Sequence, residues 1–207
     1  ELIASEKIRV IYNGIDLAAF DRTECAAVYS PPSGEVVLGT AGRLEPQKNQ
    51  QFLIEVAAKL KERGVPFKLL IAGKGRLEAE LRRIVRRKDL SEEVVFLGFV
   101  DYIQDLMQSL DIFLLSSRWE GFGYVLIEAM ACGKPVVSLC SSSEAEIVAD
   151  GETGFLIPHA DPVLFADRIE HLIQRTDLRE RFGRQGRARV VERFTEQRAL
   201  EALKEIL

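Results

Sequence analysis

The sequence has few of the residues that mark specialised classes of protein. Cysteine occurs three times in 207 residues, as Cys25, Cys132 and Cys140. The three are far apart and odd in number, so no disulfide framework is expected, and a reducing cytosol fits this usage. No C-x-x-C pair is present. Histidine occurs twice, as His159 and His171, too few and too distant for a zinc site, and both are expected at the surface. No apolar run reaches the ~20 residues of a membrane-spanning helix, and Glu1–Leu2–Ile3–Ala4–Ser5 does not read as a signal peptide. Neither sign of charge dominates. The net charge of −4 gives no electrostatic reason to expect a nucleic-acid partner. The GxxxxGK[ST] phosphate loop and the GxSxG nucleophile elbow are both missing.

What is present suits an ordinary globular chain: 47% hydrophobic and 29% charged residues, enough for one large domain, or one domain with flanking pieces, around a substantial core. Basic residues gather at Arg82, Arg83, Arg86, Arg87 and Lys88. They read as the solvated face of a helix, with a membrane-surface or partner contact as the alternative.

Apolar runs rich in β-formers alternate with helical patterns. Strands are expected at Val36–Gly39, continuing into Thr40–Ala41–Gly42, and at Phe67–Ala72, Val94–Leu97, Ile112–Leu115, Pro135–Leu139 and Gly154–Ile157. Between them, Phe52, Leu53, Val56, Ala57 and Leu60 lie on one helical stripe. Leu77, Leu81, Ile84 and Val85 mark a second helix, Ile103 to Leu110 a third, and Val125–Ala131 a fourth closed by Gly133. After Asp161 the pattern is wholly helical, and Thr195 caps a last helix running to Leu207. Continuous apolar strands separated by helices imply a parallel sheet covered on both faces. The fold class is therefore α/β, a doubly wound sheet of about six strands with a helical C-terminus. Residues 1–34 read as a lead-in strand, a turn and a linker, with Ile8–Val10 as the strand and Pro31–Pro32–Ser33–Gly34 as the linker. Residues 35–194 are the main domain and 195–207 the terminal helix.

Such sheets bind ligands beyond the carboxyl ends of their strands. The loops of interest are therefore Gly42–Asn49, Gly73–Arg76, Gly98–Tyr102, Ser116–Gly123 and Cys140–Ala145. The densest signal is Glu120–Gly121–Phe122–Gly123–Tyr124–Val125–Leu126–Ile127–Glu128. Glycines before a helix let backbone amides approach a ligand, and the helix start adds unpaired N–H groups, which suit phosphate. Glu120 falls in the crevice loop and Glu128 a turn or so into the helix. Carboxylates at this spacing suit vicinal hydroxyls, which donate to them in pairs. The alternative is a plain strand-to-helix turn with incidental acids. In the loop Gly42–Asn49, Arg43 and Lys48 overhang the same crevice and could neutralise a diphosphate, or they are two solvated cations. Gly73–Lys74–Gly75–Arg76 starts like a dinucleotide fingerprint, but Glu78 occupies its third glycine position and it follows the second strand. It reads as a tight turn.

These residues resemble the family 4 retaining glycosyltransferases of the GT-B type. The resemblance is carried by Gly42–Arg43–Leu44–x3–Lys48, by Val95–Phe96–Leu97–Gly98, and by Asp111–Ile112–Phe113–Leu114–Leu115–Ser116–Ser117. It continues in Glu120–Gly121–Phe122–Gly123–x4–Glu128–Ala129–Met130–Ala131–Cys132–Gly133–Lys134–Pro135–Val136–Val137 and in Glu146–Ile147–Val148–Ala149–Asp150–Gly151–x2–Gly154–Phe155–Leu156–Ile157–Pro158. Asn13–Gly14–Ile15–Asp16 matches near the start. The chain resembles the C-terminal, donor-binding, Rossmann-like half of that fold, lacking the N-terminal half that holds the acceptor.

The resemblance implies a nucleoside-diphosphate sugar as donor and retaining transfer without a metal or other cofactor. Arg43, Lys48 and Glu120 then form the catalytic set, the two cations on the diphosphate and Glu120 on the transferred sugar. Gly42, Gly121, Phe122, Gly123, Tyr124 and Val125 join the donor site. Glu128 binds the ribose, and the base lies along Gly98, Phe99 and Val100. No protein nucleophile is identified. A cytoplasmic location is implied, with a peripheral membrane contact through the absent half as a further option. Two positions depart from the family pattern. Tyr124 replaces an aliphatic residue, and Ser142–Ser143–Glu144–Ala145–Glu146 replaces Gly-Gly-x-Pro-Glu, which bears on which sugar is held. A non-catalytic nucleotide-sugar-binding module or a related GT-B epimerase or phosphorylase remain alternatives. A dinucleotide-dependent oxidoreductase is disfavoured by the broken glycine motif.

Overall fold

The computed structural model describes residues 8–21, 26–31 and 34–206. The expectations placed on Glu1–Ser5, Cys25, Pro32–Ser33 and Leu207 lie outside them. Six parallel strands form one sheet: β1 (Val36–Ala41), β2 (Phe67–Ala72), β3 (Val94–Gly98), β4 (Ile112–Leu115), β5 (Val136–Leu139) and β6 (Gly154–Ile157), in the spatial order β3-β2-β1-β4-β5-β6. The direction of winding reverses between β1 and β4, which pair through Leu38↔Ile112 and Gly39↔Phe113. The helices between and after the strands are α1 (Gln50–Glu62), α2 (Glu78–Arg87), α3 (Ile103–Gln108), α4 (Tyr124–Ala131), α5 (Glu144–Ile147), α6 (Pro162–Gln174), α7 (Thr176–Arg193) and α8 (Glu196–Lys204).

The period-2 alternation of strand side chains divides the interior into two cores. Leu38, Leu69, Ile71, Ile112 and Leu114 face α1, α2 and α6. Val37, Leu70, Phe113, Leu115 and Val136 face α3, α4 and the end of α7. Each face is buried, so every strand is apolar on both sides, as its continuous apolar run requires. Helix starts follow their side chains. Asp161 accepts hydrogen bonds from the amides of Val163 (2.8 Å) and Leu164 (3.2 Å) ahead of α6, with Pro162 inside its first turn. The Thr195 hydroxyl caps α8 through the Arg198 amide at 3.1 Å. The basic cluster of α2 lies on its solvated side, with Arg82, Arg83, Arg86, Arg87 and Lys88 all exposed. His159 and His171 are exposed as well.

Three readings need correction. Ile8–Val10 forms no strand. Ile8 and Val10 are exposed, and the segment engages only further on, where Ile15 donates to Phe194 O (2.9 Å), accepts from the Glu196 amide (3.1 Å) and bridges to Thr195. A strand needs a ladder partner for its backbone groups, and none lies beside Ile8–Val10 among the described residues. The loop placed at Cys140–Ala145 runs into a one-turn helix, α5, too short for a periodicity signal. The last helix ends at Lys204 and buries no residue.

Candidate functional site

The crevice opens where the loops after β1 and β4 diverge from neighbouring strands, at the point of reversal. The ends of β1, β2 and β3 are laced together there. Gly73 donates to Gly98 O (2.6 Å), Gly42 to Ala72 O (3.0 Å) and Leu44 to Lys74 O (3.0 Å). Gly73 has φ +132°, and a Cβ on it would stand 1.9 Å from Gly42 O. Only glycine fits that approach. The turn at Gly73–Arg76 thus also sets the spacing between the loops of β1 and β3.

A cavity of about 660 Å³ there is lined by Lys48 and Glu120, by the run Gly121–Val125, by Glu128, and by Asn13, Gly42 and Ile103. Lys48 comes from the loop after β1 and Glu120 from the loop after β4. Their Nζ–Oε1 separation is 2.6 Å, with side chains 17% and 9% exposed. The Ser117 hydroxyl donates a short hydrogen bond to the same Glu120 oxygen. The Ser116 hydroxyl ties the two loops at their roots, bonding Lys48 O (2.9 Å) and Asn49 O (3.1 Å).

Glu128 differs from Glu120. It is half-buried on α4, its carboxyl group has no hydrogen-bond or ion-pair partner among the described residues, and burial pushes that group's pKa up. At the start of α4, Gly123 takes a left-handed conformation (φ +90°) and no side chain caps the helix, which leaves first-turn amides facing the cavity. Tyr124 follows it, half exposed, with its ring edge-on to Phe122 at 5.3 Å.

A second cavity of about 300 Å³, mostly apolar in its walls, lies beside the first and shares Ala41, Gly42 and Ile103 with it. Arg43, Lys74, Phe99 and Val100 line it. Of the residues expected at the site, Gly42, Lys48, Glu120, Gly121, Phe122, Gly123, Tyr124, Val125 and Glu128 gather in the first cavity, and Arg43, Phe99 and Val100 in the second. Gly98 lines neither and acts through its carbonyl on Gly73. The two expected cations are therefore on different walls: Lys48 is paired inside, and Arg43 is exposed at the neighbouring cavity.

Four residues at or behind these walls escape a reading by loops. Asn13 arrives from the first described segment, Lys74 sits in a turn judged only for its glycines, and Ser117 and Ser142 hold the Glu120 loop from behind. The positions of Lys74, Ser117 and Ser142 after strands were visible and their orientations were not, while Asn13 follows no strand. Among the described residues, no group of three or more His, Cys, Asp or Glu side chains could hold a metal. No described helix is long and apolar enough to cross a membrane.

Chemically, the site offers cations and helix amides on the one hand and, on the other, an acid whose carboxyl group has no partner among the described residues. The first suits a polyanion and the second vicinal hydroxyls. The family model for glycosyl transferases, group 1, matches residues 21–189. The N-acetyl-alpha-D-glucosaminyl L-malate synthase of Bacillus anthracis is 31% identical over 198 residues, which cover 94% of this chain and 52% of that protein. The D-inositol 3-phosphate glycosyltransferase of Jonesia denitrificans is 33% identical over 207 aligned positions, 92% of this chain and 48% of that protein. The chain spans about half the length of these relatives. A crystal structure of Anabaena Alr3699/HepE with UDP-glucose superposes with a TM-score of 0.81 at 28% identity, covering 98% of this chain and 58% of that one.

Proposed function

This chain belongs to the group 1 glycosyl transferases, and from that membership we propose that it binds the nucleoside-diphosphate sugar donor of a glycosyl transfer. The observation that carries the reading is the cavity where β1 and β4 diverge. It combines an internally neutralised Lys48–Glu120 pair, the open start of α4 and the unpartnered Glu128.

In this reading the diphosphate lies over the start of α4, between Lys48 and Arg43. Glu128 accepts hydrogen bonds from the ribose hydroxyls, which offsets the cost of its burial. The base occupies the apolar second cavity along Phe99 and Val100, and Glu120 meets the transferred sugar. As the glycosidic bond breaks, negative charge grows on the departing diphosphate. Lys48, Arg43 and the α4 amides are the fixed positive groups aimed at it, so the reaction needs no divalent metal. The two acids of the cavity are assigned to sugar and ribose. The acceptor proton then passes to the departing phosphate, and transfer proceeds with retention of configuration. The acceptor is held by the part of a complete protein that lies outside this chain. The cysteine usage fits the cytoplasm, with membrane contact left to that other part.

The test is calorimetry with UDP, GDP and ADP, with their sugar conjugates and with the 2′-deoxy forms. The UDP-glucose complex of the Anabaena protein makes UDP the first probe. Micromolar to millimolar binding of one nucleoside diphosphate, weakened by loss of the 2′-hydroxyl and lost in Glu128→Ala, supports the reading. No binding across the panel, or equal binding of ribo and deoxy forms by both proteins, would sink it.

A further inference from the structure

The loop after β4 carries Glu120 yet belongs to no helix or strand between Leu115 and Tyr124, so contacts from neighbouring segments must hold it. On the side of β1 they do so through Gln47, whose carbonyl accepts from the Arg118 amide (2.8 Å) and whose side-chain amide donates to Trp119 O (3.0 Å). On the side of β5 the contacts come from three consecutive serines. The Ser141 hydroxyl reaches Ser117 O at 3.0 Å, Ser142 accepts from the Glu120 amide at 2.9 Å and lies 3.1 Å from Glu120 O, and Ser143 donates to Phe122 O at 3.0 Å. The backbone at three positions of the loop, Ser117, Glu120 and Phe122, is thus met by one hydroxyl each.

Successive residues of an extended chain point to opposite sides, so three adjacent hydroxyls cannot converge on one loop without a sharp local turn. Glu144 makes that turn. It is fully buried, and its carboxylate accepts from the amides of Ser141 (3.0 Å) and Ser142 (2.6 Å), with the Ser141 hydroxyl 3.1 Å away. No cation pairs with it among the described residues. A charge-bearing group buried this completely costs stability unless its hydrogen bonds are needed where they are.

We propose that Glu144 and the serine run Ser141–Ser143 form a buckle that positions the Glu120 loop, with Ser142 as the residue that sets the Glu120 backbone. Glu120 is then held twice. Its main chain is fixed by Ser142, and its carboxylate by Lys48 and by Ser117, whose own carbonyl is taken by Ser141. Glu144 touches no ligand in this arrangement; it acts through the serines. The functional consequence rests on Glu120 meeting the sugar of the donor. The buckle therefore governs how well the sugar, and not the nucleotide, is held, and it is a determinant of which sugar fits.

The test has two independent parts. In the unliganded chain, hydrogen–deuterium exchange resolved over residues 117–122 is compared for wild type, Ser142→Ala, Ser142→Thr and Glu144→Gln. Loss of one hydrogen bond should speed exchange of the Glu120 amide by about fivefold in Ser142→Ala, and Ser142→Thr, which keeps the hydroxyl, should restore it. Calorimetry then compares UDP with UDP-glucose, or the corresponding GDP or ADP pair if UDP is not bound. Ser142→Ala should keep nucleoside-diphosphate affinity within about twofold and lose about tenfold for the sugar conjugate. Unchanged exchange at Glu120, or equal losses for both ligands, overturns the buckle. If wild type binds no nucleoside diphosphate, the functional reading fails and the exchange pattern alone decides the buckle. Both serine amides meet the one carboxylate oxygen Oε2, so Glu144→Gln keeps an acceptor for them but replaces two charge-assisted bonds by neutral ones, and should speed exchange at Glu120 by less than Ser142→Ala does. Should that variant not fold, Ser142→Ala carries the test.

Discussion

Lys48 Nζ stands 2.6 Å from Glu120 Oε1, joining the loops after two neighbouring strands across the mouth of the crevice. The pair is shielded enough for its attraction to be felt and open enough for a ligand to reach both partners. In the proposed reading, a diphosphate arriving at Lys48 would compete with Glu120 for it and release the carboxylate toward sugar hydroxyls. The two halves of a donor would then be recognised in concert.

Breaking this pair tests its double role. Lys48→Met leaves Glu120 without its counter-ion and is expected to cost about 1–3 kcal/mol of stability, read by urea denaturation. Glu120→Gln added to it should recover most of that loss, because neither charge then remains unpaired. Nucleoside-diphosphate affinity should stay at least about tenfold down in both variants. A double variant that regains binding would show that Lys48 serves the loop and not the phosphate.

Glu120→Ala frees Lys48 instead of removing it. Bare nucleoside-diphosphate affinity is expected to hold or rise, while affinity for the sugar conjugate falls by about tenfold to a hundredfold. Isothermal titration with both ligands reads the split, and parallel losses would remove Glu120 from the sugar.

Glu128 is a destabilising acid in the free protein. Burial raises its pKa above that of the unfolded chain, so the folded state is favoured by protonation. Its penalty is absent below the unfolded carboxyl pKa and grows as pH rises through the folded one. Glu128→Gln should therefore stabilise the free chain at pH 7 by about 0.5–2 kcal/mol, with the gain vanishing near pH 4. The same variant should lose discrimination between ribo and 2′-deoxy nucleotides. Thermal melts at pH 4 and 7 measure the first effect, and paired titrations the second. A variant less stable at pH 7 would mean that Glu128 already has a partner.

Gly73→Ala should be costly despite lying in a turn. The added methyl meets Gly42 O at 1.9 Å, and either the β1 loop or the β3 loop must move. A loss of about 1–3 kcal/mol is expected, with weaker nucleotide binding because Arg43 and Phe99 ride on those loops. Wild-type stability in chemical denaturation would contradict the close approach.

Binding of the nucleoside diphosphate should survive EDTA, since Lys48, Arg43 and the α4 amides supply the positive charge. Titration before and after chelation checks this. A signal lost on chelation and regained with Mg²⁺ or Mn²⁺ would assign that charge to a cation.

Much of the architecture is a local property of this chain. The apolar runs at Phe67–Ala72 and Ile112–Leu115 are strands because they suit burial on both faces, and the stripe from Phe52 to Leu60 is a helix because its period is that of a helix. The residues following β1 and β4 could be marked as crevice residues by the same logic, and Lys48, Glu120 and, a turn into α4, Glu128 line the cavity found there. Pairing across the molecule is not local. Whether Lys48 faces solvent or Glu120, 72 residues away, depends on β1 and β4 lying side by side. That Arg43 lines a neighbouring cavity, that Ile8–Val10 finds no ladder, and that Ser141–Ser143 clasp the Glu120 loop depend likewise on which backbone arrives opposite. A side chain's chemistry is written in its own position in the sequence. Its partner is decided by the packing of the sheet, because hydrogen bonds and ion pairs act only over the last few ångströms that tertiary structure sets.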